Sequence, residues 1–351
     1  MPNVTAERLT EIARALLIAA GTPESEADTV SRLSIAANLA GHDSHGIILI
    51  PTYIDRVKLG HIVPGAPWTI VEETPTTTVV DGNWGFGYVV TEKAMRLTIE
   101  KAEKQNVAAC TVFRQGHIGR LASYPLMAAE QGMIAMITAD SGRSPKHVAP
   151  FGGAKARLGT NPICFAMPSN LDGPLFFDMA TSAAAAGKIG VAMARGEQVP
   201  PGWLIDAEGK PTTDPRKLRQ GGALLPLGGS EGYKGYGLAA IVEIFSGLLT
   251  GLGFGIEPSG RHNDGCFIAV FKVGAFRNLD SFKQEVTDFA RYLKDTPPAE
   301  GFKQVYYPGE IEYLKEQDRR RNGIPIEDAT WDVLKKLAGE YGIADRLGLA
   351  D

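Results

Sequence analysis

The chemistry of this chain concentrates in short polar motifs set between apolar runs. Asp43-Ser44-His45-Gly46 follows closely on a helix-ending glycine, Gly41. A histidine with a pKa near ~6.5 gives and takes a proton at neutral pH, which makes His45 a candidate acid/base with Ser44 beside it to orient the ring. His117 lies in Arg114-Gln115-Gly116-His117-Ile118-Gly119, between a strand end and a helix start. Strand ends in α/β proteins are where ligands usually sit, and the flanking glycines let a ligand approach the backbone. In Leu158-Gly159-Thr160-Asn161-Pro162, Thr160 and Asn161 offer donors and acceptors at the start of a strand. In Asp178-Met179-Ala180-Thr181-Ser182 a carboxylate and two hydroxyls leave a strand together. Asp178 can accept from a ribose hydroxyl there, or simply cap a helix.

The sharpest signal is Gly228-Gly229-Ser230-Glu231-Gly232-Tyr233-Lys234-Gly235-Tyr236-Gly237, glycine-rich with one lysine, directly before an apolar helix. Free backbone N–H groups and the helix dipole favour an anion there, and Lys234 adds a full charge, so a phosphate or pyrophosphate is the natural guest. The common alternatives are missing. No GxGxxG follows a strand, no GxxxxGK[ST] occurs, and no HExxH or clustered Cys/His set appears. His42 and His45 flank Asp43 without a third ligand at suitable spacing, so no metal is expected.

These motifs need elements to position them. Thr5 caps a first helix whose Leu9, Ile12, Ala13, Leu16 and Leu17 follow one stripe, ended by Gly21. Thr22-Pro23 opens a second, running to Gly41, and 47–59 reads as a third, so the first 75 residues look helical. Strands are expected from Thr76, over 107–113, 133–140, 163–167, 175–179 and 266–271. Helices are expected over 91–105, 120–131 and 236–249, the last with Leu238, Ile241, Val242, Phe245 and Leu248 on one face. Residues 183–222 read as long surface loops. Ser281 and Gln284 form a capping box for a late helix, and two more follow near Glu310 and over 327–340. The layout is a helical domain from 1–75 plus 276–351 and an α/β domain over 76–275, with a small subdomain near 115–150. Strand–helix alternation alone predicts a parallel sheet.

Composition narrows the class. Of 351 residues, 41 are glycine, about 12% against a usual ~7%, and they crowd the middle of the chain. The formal net charge of −4 excludes a polybasic surface for nucleic acid or anionic membrane. No apolar run approaches the ~20 residues of a membrane helix, and a soluble cytoplasmic protein is expected. Cys110, Cys164 and Cys266 read as reduced core residues.

Asp-Ser-His-Gly, the glycine–histidine–glycine turn, Leu-Gly-Thr-Asn-Pro, Asp-Met-Ala-Thr-Ser and Tyr-Lys-Gly-Tyr-Gly-Leu occur in one order over nearly the whole chain. In this the sequence resembles the malate/L-lactate dehydrogenase family of non-Rossmann nicotinamide enzymes. The resemblance implies an α/β (α+β) fold with a largely antiparallel central sheet, and a homodimer with active sites near the interface. It implies NAD or NADP as cofactor, with NAD favoured through the Asp178 carboxylate, and a 2-hydroxy/2-oxo acid as substrate. His45 becomes the acid/base assisted by Ser44, or His117 takes that role. Ser141, Asp178, Met179, Ala180, Lys234, Gly235, Gly309 and Glu310 match cofactor-contacting segments, and Thr160 a substrate contact. One departure stands out: where many members carry an arginine four residues after this histidine, the chain has Leu49. The substrate carboxylate is therefore held otherwise, or the pocket favours a bulkier, more apolar acid. Tyr233 stands where a histidine is common. Rival readings are a cyclic-imine carboxylate reductase of the same family, a Ser44/His45 acyl hydrolase and a silent phosphate-binding protein. Gly235→Val is expected to weaken cofactor binding more than folding.

Overall fold

The computed structural model describes residues 1–140, 146–256, 261 and 263–350. After the short β1 (Asn3–Val4), the Thr5 hydroxyl accepts from the Arg8 N–H at 3.2 Å and starts α1 (Ala6–Ala19). The helix buries Leu9, Ile12, Ala13, Leu16 and Leu17, the stripe read from the sequence. α2 (Glu24–Leu39) packs on it, and a 3₁₀ turn, Asp43–His45, leads towards α3 (Ile50–Lys58).

β2 (Thr69–Glu73) corrects the expectation of a helical first 75 residues. All its residues are exposed, so it has no alternating apolar face to betray it; backbone pairing to β3 (Thr77–Gly85) holds it as an edge strand. α4 (Gly87–Gln105), β4 (Val107–Gln115), α5 (Pro125–Ala129), β5 (Met133–Asp140), β6 (Ile163–Met167) and β7 (Leu175–Met179) follow. The helix expected over 120–131 is shorter and broken, a 3₁₀ turn preceding α5, because Pro125 has no N–H to continue an earlier turn.

The expected loops of 183–222 are instead α6 (Ala186–Arg195) and three tiny strands, β8 (Leu204–Ile205), β9 (Pro211–Thr212) and β10 (Ala223–Leu224), paired in the order β10-β8-β9. They cover a small core of Val148, Ala184, Ile189, Val199, Leu204 and Leu224. Two-residue strands are too short to show a period. α7 (Gly232–Glu243) begins four residues before its expected start and runs on as a π-helical turn, Ile244–Leu248. Its buried residues are Gly232, Gly235, Ala239, Val242 and Glu243, whereas Ile241 and Leu248 are each 48% exposed. Three small residues, with Val242 and Glu243, face the protein, and several large apolar ones face outward. β11 (Gly265–Lys272), α8 (Leu279–Lys294), α9 (Glu310–Asn322), β12 (Ile324–Pro325) and α10 (Asp328–Glu340) complete the chain. α8 is capped by Asn278, whose side chain accepts from the Ser281 N–H at 3.0 Å, three residues before the expected cap.

The main sheet has the order β2-β3-β4-β11-β5-β6-β7. Only β3 and β4 pair in parallel; the other pairs are antiparallel, as the resemblance implied and simple alternation did not. One continuous core joins Leu16 and Ile35 of the first helices to Val112, Ile137 and Ile268 of the sheet. β1 pairs with β12, closing the N-terminal segment onto the C-terminal helices. Cys110, Cys164 and Cys266 are free and buried, as expected. Among the described residues no helix is long and apolar enough to cross a membrane.

Candidate active site

The antiparallel order brings distant motifs to one end of the sheet. Gly265 lies opposite Asp140, and Cys266 opposite both Val112 and Ala139. Ile163 lies opposite Thr138 on one side and Met179 on the other. The turn after β4 with His117, the approach to β11 with Asp264, the Thr160-Asn161 turn before β6 and the exit of β7 with Asp178 therefore share that end.

His45 is carried to it on the 3₁₀ turn after α2, which is braced from three sides. Asn38 donates to Asp43 at 2.7 Å and accepts from the Ile47 N–H at 2.8 Å. Arg319 of α9 grips both Asp43 oxygens at 2.6 and 2.9 Å and also donates to the Asn38 carbonyl. His42 lies 3.6 Å from Glu312. The first turn of α6 comes up against Ser44, at Gly187.

His117 is held by a different set. Gly119 has φ +72, and a Cβ there would overlap the Tyr88 ring, so this turn requires glycine. Asp264 accepts from the Ile118 N–H at 3.1 Å, and the Tyr124 hydroxyl donates to the Ile118 carbonyl at 2.5 Å. The Tyr53 hydroxyl sits 2.8 Å from His117 Nδ1 and 3.2 Å from the Tyr88 hydroxyl, which donates to the His45 carbonyl at 3.4 Å.

The two supports set the imidazoles of His45 and His117 in a stack, with centroids 5.6 Å apart and planes at 25°. Ser44 Oγ lies 3.0 Å from His45 Nδ1. Burial, with the positive fields of His42 and Arg120, lowers the His45 pKa to about 4; the Asp264 carboxylate opposes them. His45 is thus a neutral ring at physiological pH. The tautomer that donates Nδ1–H to Ser44 keeps Nε2 as the acceptor.

The other expected site residues divide. Asp178 accepts from the Ala122 N–H at 2.8 Å, next to the His117 turn; burial raises its pKa, against that N–H and the charge of Arg120. Met179 and Ala180 continue from it, half-buried. The Thr181 hydroxyl donates to the Thr160 and Asn161 carbonyls at 3.1 and 3.0 Å, which joins those two motifs. Asn161 is buried, and its amide donates to the Ala239 carbonyl and to Glu243 of α7, both at 2.9 Å, so its side chain braces α7. Lys234 is exposed in the first turn of α7, 3.2 Å from Glu231. Gly235 is a packing glycine: a Cβ would overlap the Leu227 carbonyl oxygen. Gly309 precedes α9 beside Phe176, and the Glu310 carboxylate, paired with Lys294, accepts from the Tyr307 N–H at 3.1 Å. Ser141 lies outside the described residues.

Three side chains at this end were not singled out from the sequence for chemistry: Tyr53, Asp264 and Arg120. Tyr53 and Asp264 lie in ordinary helix and pre-strand contexts with no motif around them. Arg120 carried a signal, a lone cation directly after Gly119 in the histidine turn, ahead of apolar Leu121-Ala122.

Comparison with known proteins places this arrangement. The model of the malate/L-lactate dehydrogenase family matches residues 4–335. A malate dehydrogenase of Pyrococcus abyssi is 36% identical over 331 residues, 92% of this chain and 90% of the relative. The crystal structure of malate dehydrogenase from Entamoeba histolytica superposes with a TM-score of 0.93 at 36% identity, covering 97% of this chain and 98% of that one. The delta1-piperideine-2-carboxylate reductase of Pseudomonas syringae superposes with a TM-score of 0.84 at 30% identity, covering 96% and 100%. The chain belongs to the malate/L-lactate dehydrogenase family and is an oxidoreductase of hydroxy and oxo acids.

Proposed function

We propose that the chain catalyses reversible hydride transfer between a nicotinamide dinucleotide and C2 of a 2-hydroxy/2-oxo carboxylic acid, with His45 as acid/base, Ser44 orienting it and His117 facing the same oxygen. The observation that carries this is the stacked pair of imidazoles, supplied by separate elements and braced independently, at the sheet end that also gathers Thr160 and Asp178. The residues present fit the dinucleotide. The first turn of α7 offers its N–H groups and the exposed Lys234, and Gly228 and Gly229, with positive φ, put no side chain in front of them. Met179, Ala180, Gly309 and Glu310 stand as further cofactor contacts, with Gly235 acting through the close seating of α7.

When bound, the nicotinamide supplies the hydride acceptor or donor. In oxidation the neutral His45 takes the hydroxyl proton on Nε2, while Nδ1–H stays on Ser44 Oγ. In reduction the protonated ring stabilises charge on the carbonyl oxygen and returns the proton. The tyrosine chain serves His117: with Tyr88 donating to the His45 carbonyl and Tyr53 to Tyr88, the Tyr53 oxygen accepts from His117 Nδ1–H.

The division into a cofactor-bearing unit, 76–275, and a helical unit from both flanks is supported by the β1–β12 pairing. A homodimer is supported by the exposed apolar side of α7 and its π-helical extension, with Tyr233, Ile241, Ile244 and Leu248. The Asp178 carboxylate, which accepts from the Ala122 N–H, favours NAD over a cofactor with a 2′-phosphate, and NAD and NADP both enter the test. That test is a panel of 2-hydroxy and 2-oxo acids with each cofactor, followed at the NAD(P)H absorbance. His45→Ala is expected to lower turnover by ~10²–10⁴; an unchanged kcat removes His45 from the role, and His117→Ala decides between the rings. Imine carboxylates belong in the panel because of the likeness to the piperideine carboxylate reductase. Ester turnover without nucleotide is the result that would favour a Ser44/His45 hydrolase instead.

A further inference from the structure

We infer that Arg120 is the anion anchor of the site, its guanidinium holding the carboxylate of the 2-hydroxy/2-oxo acid; the inference rests on the dehydrogenase reading above. Arg120 is only 9% exposed, yet its Nε is buried without a hydrogen-bond partner among the described residues. A guanidinium withdrawn from water and left without an acceptor is costly, and such groups are retained where a ligand completes them. Of the two carboxylates whose fields it shares, Asp178 already accepts from the Ala122 N–H at 2.8 Å, and Glu312 lies 3.6 Å from His42; neither is hydrogen-bonded to Arg120. Its own fixed contact is the ring of Phe176 on β7, 5.0 Å from the guanidinium carbon. That contact seats the charge and leaves the planar N–H fork for a carboxylate, the shape it binds best.

The position suits a substrate and not a surface ion. Arg120 stands three residues after His117, on the turn fixed by Gly119 and Asp264. Its charge reaches His45. A small acid held there by its carboxylate keeps C2 and its oxygen, one bond away, close to both imidazoles. Leu49, half-buried against the core, supplies no charge from the His45 side. The cation comes from the His117 side instead, so the acid enters with its carboxylate towards the β4 turn.

The test uses the full chain with Arg120→Gln and Arg120→Lys, checked for folding by thermal melting. Two bindings are measured without turnover: the dinucleotide by quenching of protein fluorescence, and oxamate to the dinucleotide-loaded protein by calorimetry. Expected for Arg120→Gln is a loss of oxamate affinity and a rise in KM for the acid of about 10–100-fold, the weight of a charged hydrogen-bonded pair. Dinucleotide affinity is expected to stay within about twofold, and turnover of the matching 2-oxo amide to change little. Arg120→Lys keeps the charge without the fork and should fall between; it carries the test if the glutamine variant does not fold. Dinucleotide affinity falling while oxamate binding holds would put Arg120 on a cofactor phosphate and overturn the inference. Equal losses for acid and amide would overturn it too, as a packing effect. If the wild type turns over no acid but Arg120→Gln still loses oxamate, the dehydrogenase reading fails and the anchor stands; unchanged oxamate binding removes the anchor whatever the activity.

Discussion

His45 is the residue at which the electrostatics of the site become measurable. Its lowered pKa reflects burial, with His42 on its own turn and Arg120 on the opposing turn pushing the same way, Asp264 pushing back and His117 stacked on the ring. A base must be unprotonated to act, so kcat/KM for alcohol oxidation should fall in acid only as pH approaches about 4. Arg120→Gln removes a positive neighbour and should move that limb up in pH; Asp264→Asn removes a negative one and should move it down. Identical acid limbs in all three proteins would separate His45 from the titration. The same shift links to stability. The unfolded chain binds the proton near pH ~6.5 and the folded one only near 4, so this group's contribution is full above 6.5 and is lost as pH falls through that interval. His45→Gln, which cannot titrate, should show a smaller drop in melting temperature between pH 6.5 and 4 than the wild type. At this scale the site was half legible. His45, His117, Thr160 and Asp178 sit in short polar motifs that advertise themselves. Tyr53 and Asp264 act through spacing that only the folded sheet creates, and Arg120 matters because of what it lacks, which no sequence displays.

Among the elements, α7 carries the clearest reinterpretation. Its glycines read as a phosphate-binding loop, yet a Cβ on Gly235 would overlap the Leu227 carbonyl oxygen, and Gly232, Gly235 and Ala239 line much of its buried side. Adding bulk there should unseat the helix before it disturbs a ligand, the reverse of the expectation for Gly235→Val. Gly235→Ala should destabilise by about 1–3 kcal/mol in denaturant melts, the usual weight of an overpacked contact. Gly237→Ala, with open space around it, should stabilise by about 0.5–1 kcal/mol through helix propensity alone. Equal effects at both positions would mean that the contact is not felt. The strands with apolar periodicity, β5, β6 and β7, were readable to the residue, since burial dictates which side chains point inward. β2 was not, because it is a strand by pairing alone, and α6 with β8–β10 was not, because small local cores form from segments shorter than any period.

For the molecule as a whole, the large apolar side chains that α7 and its π-helical extension turn outward are the feature most out of keeping with a solitary chain. Ile244 and Leu249 are 47% and 55% exposed, and Tyr233 is 50% exposed near the other end. A charge placed in the middle, Ile244→Glu, should weaken self-association by ~10²-fold or more, read by sedimentation equilibrium, with activity falling alongside if the active sites depend on the pair. A monomeric wild type at micromolar concentration would end the dimer proposal. The β1–β12 ribbon bears on a different matter, the order in which the molecule comes into being. Asn3 pairs with Pro325, a partner roughly 320 positions away along the chain. Closing so long a loop costs entropy and is offset by two ladder pairs and a few flanking hydrogen bonds, which places the ribbon late on the folding route and early on the unfolding one. Deleting residues 1–4 should therefore hasten unfolding while leaving the refolding rate nearly unchanged: the ribbon acts as a latch, fastened after the central sheet is already in place.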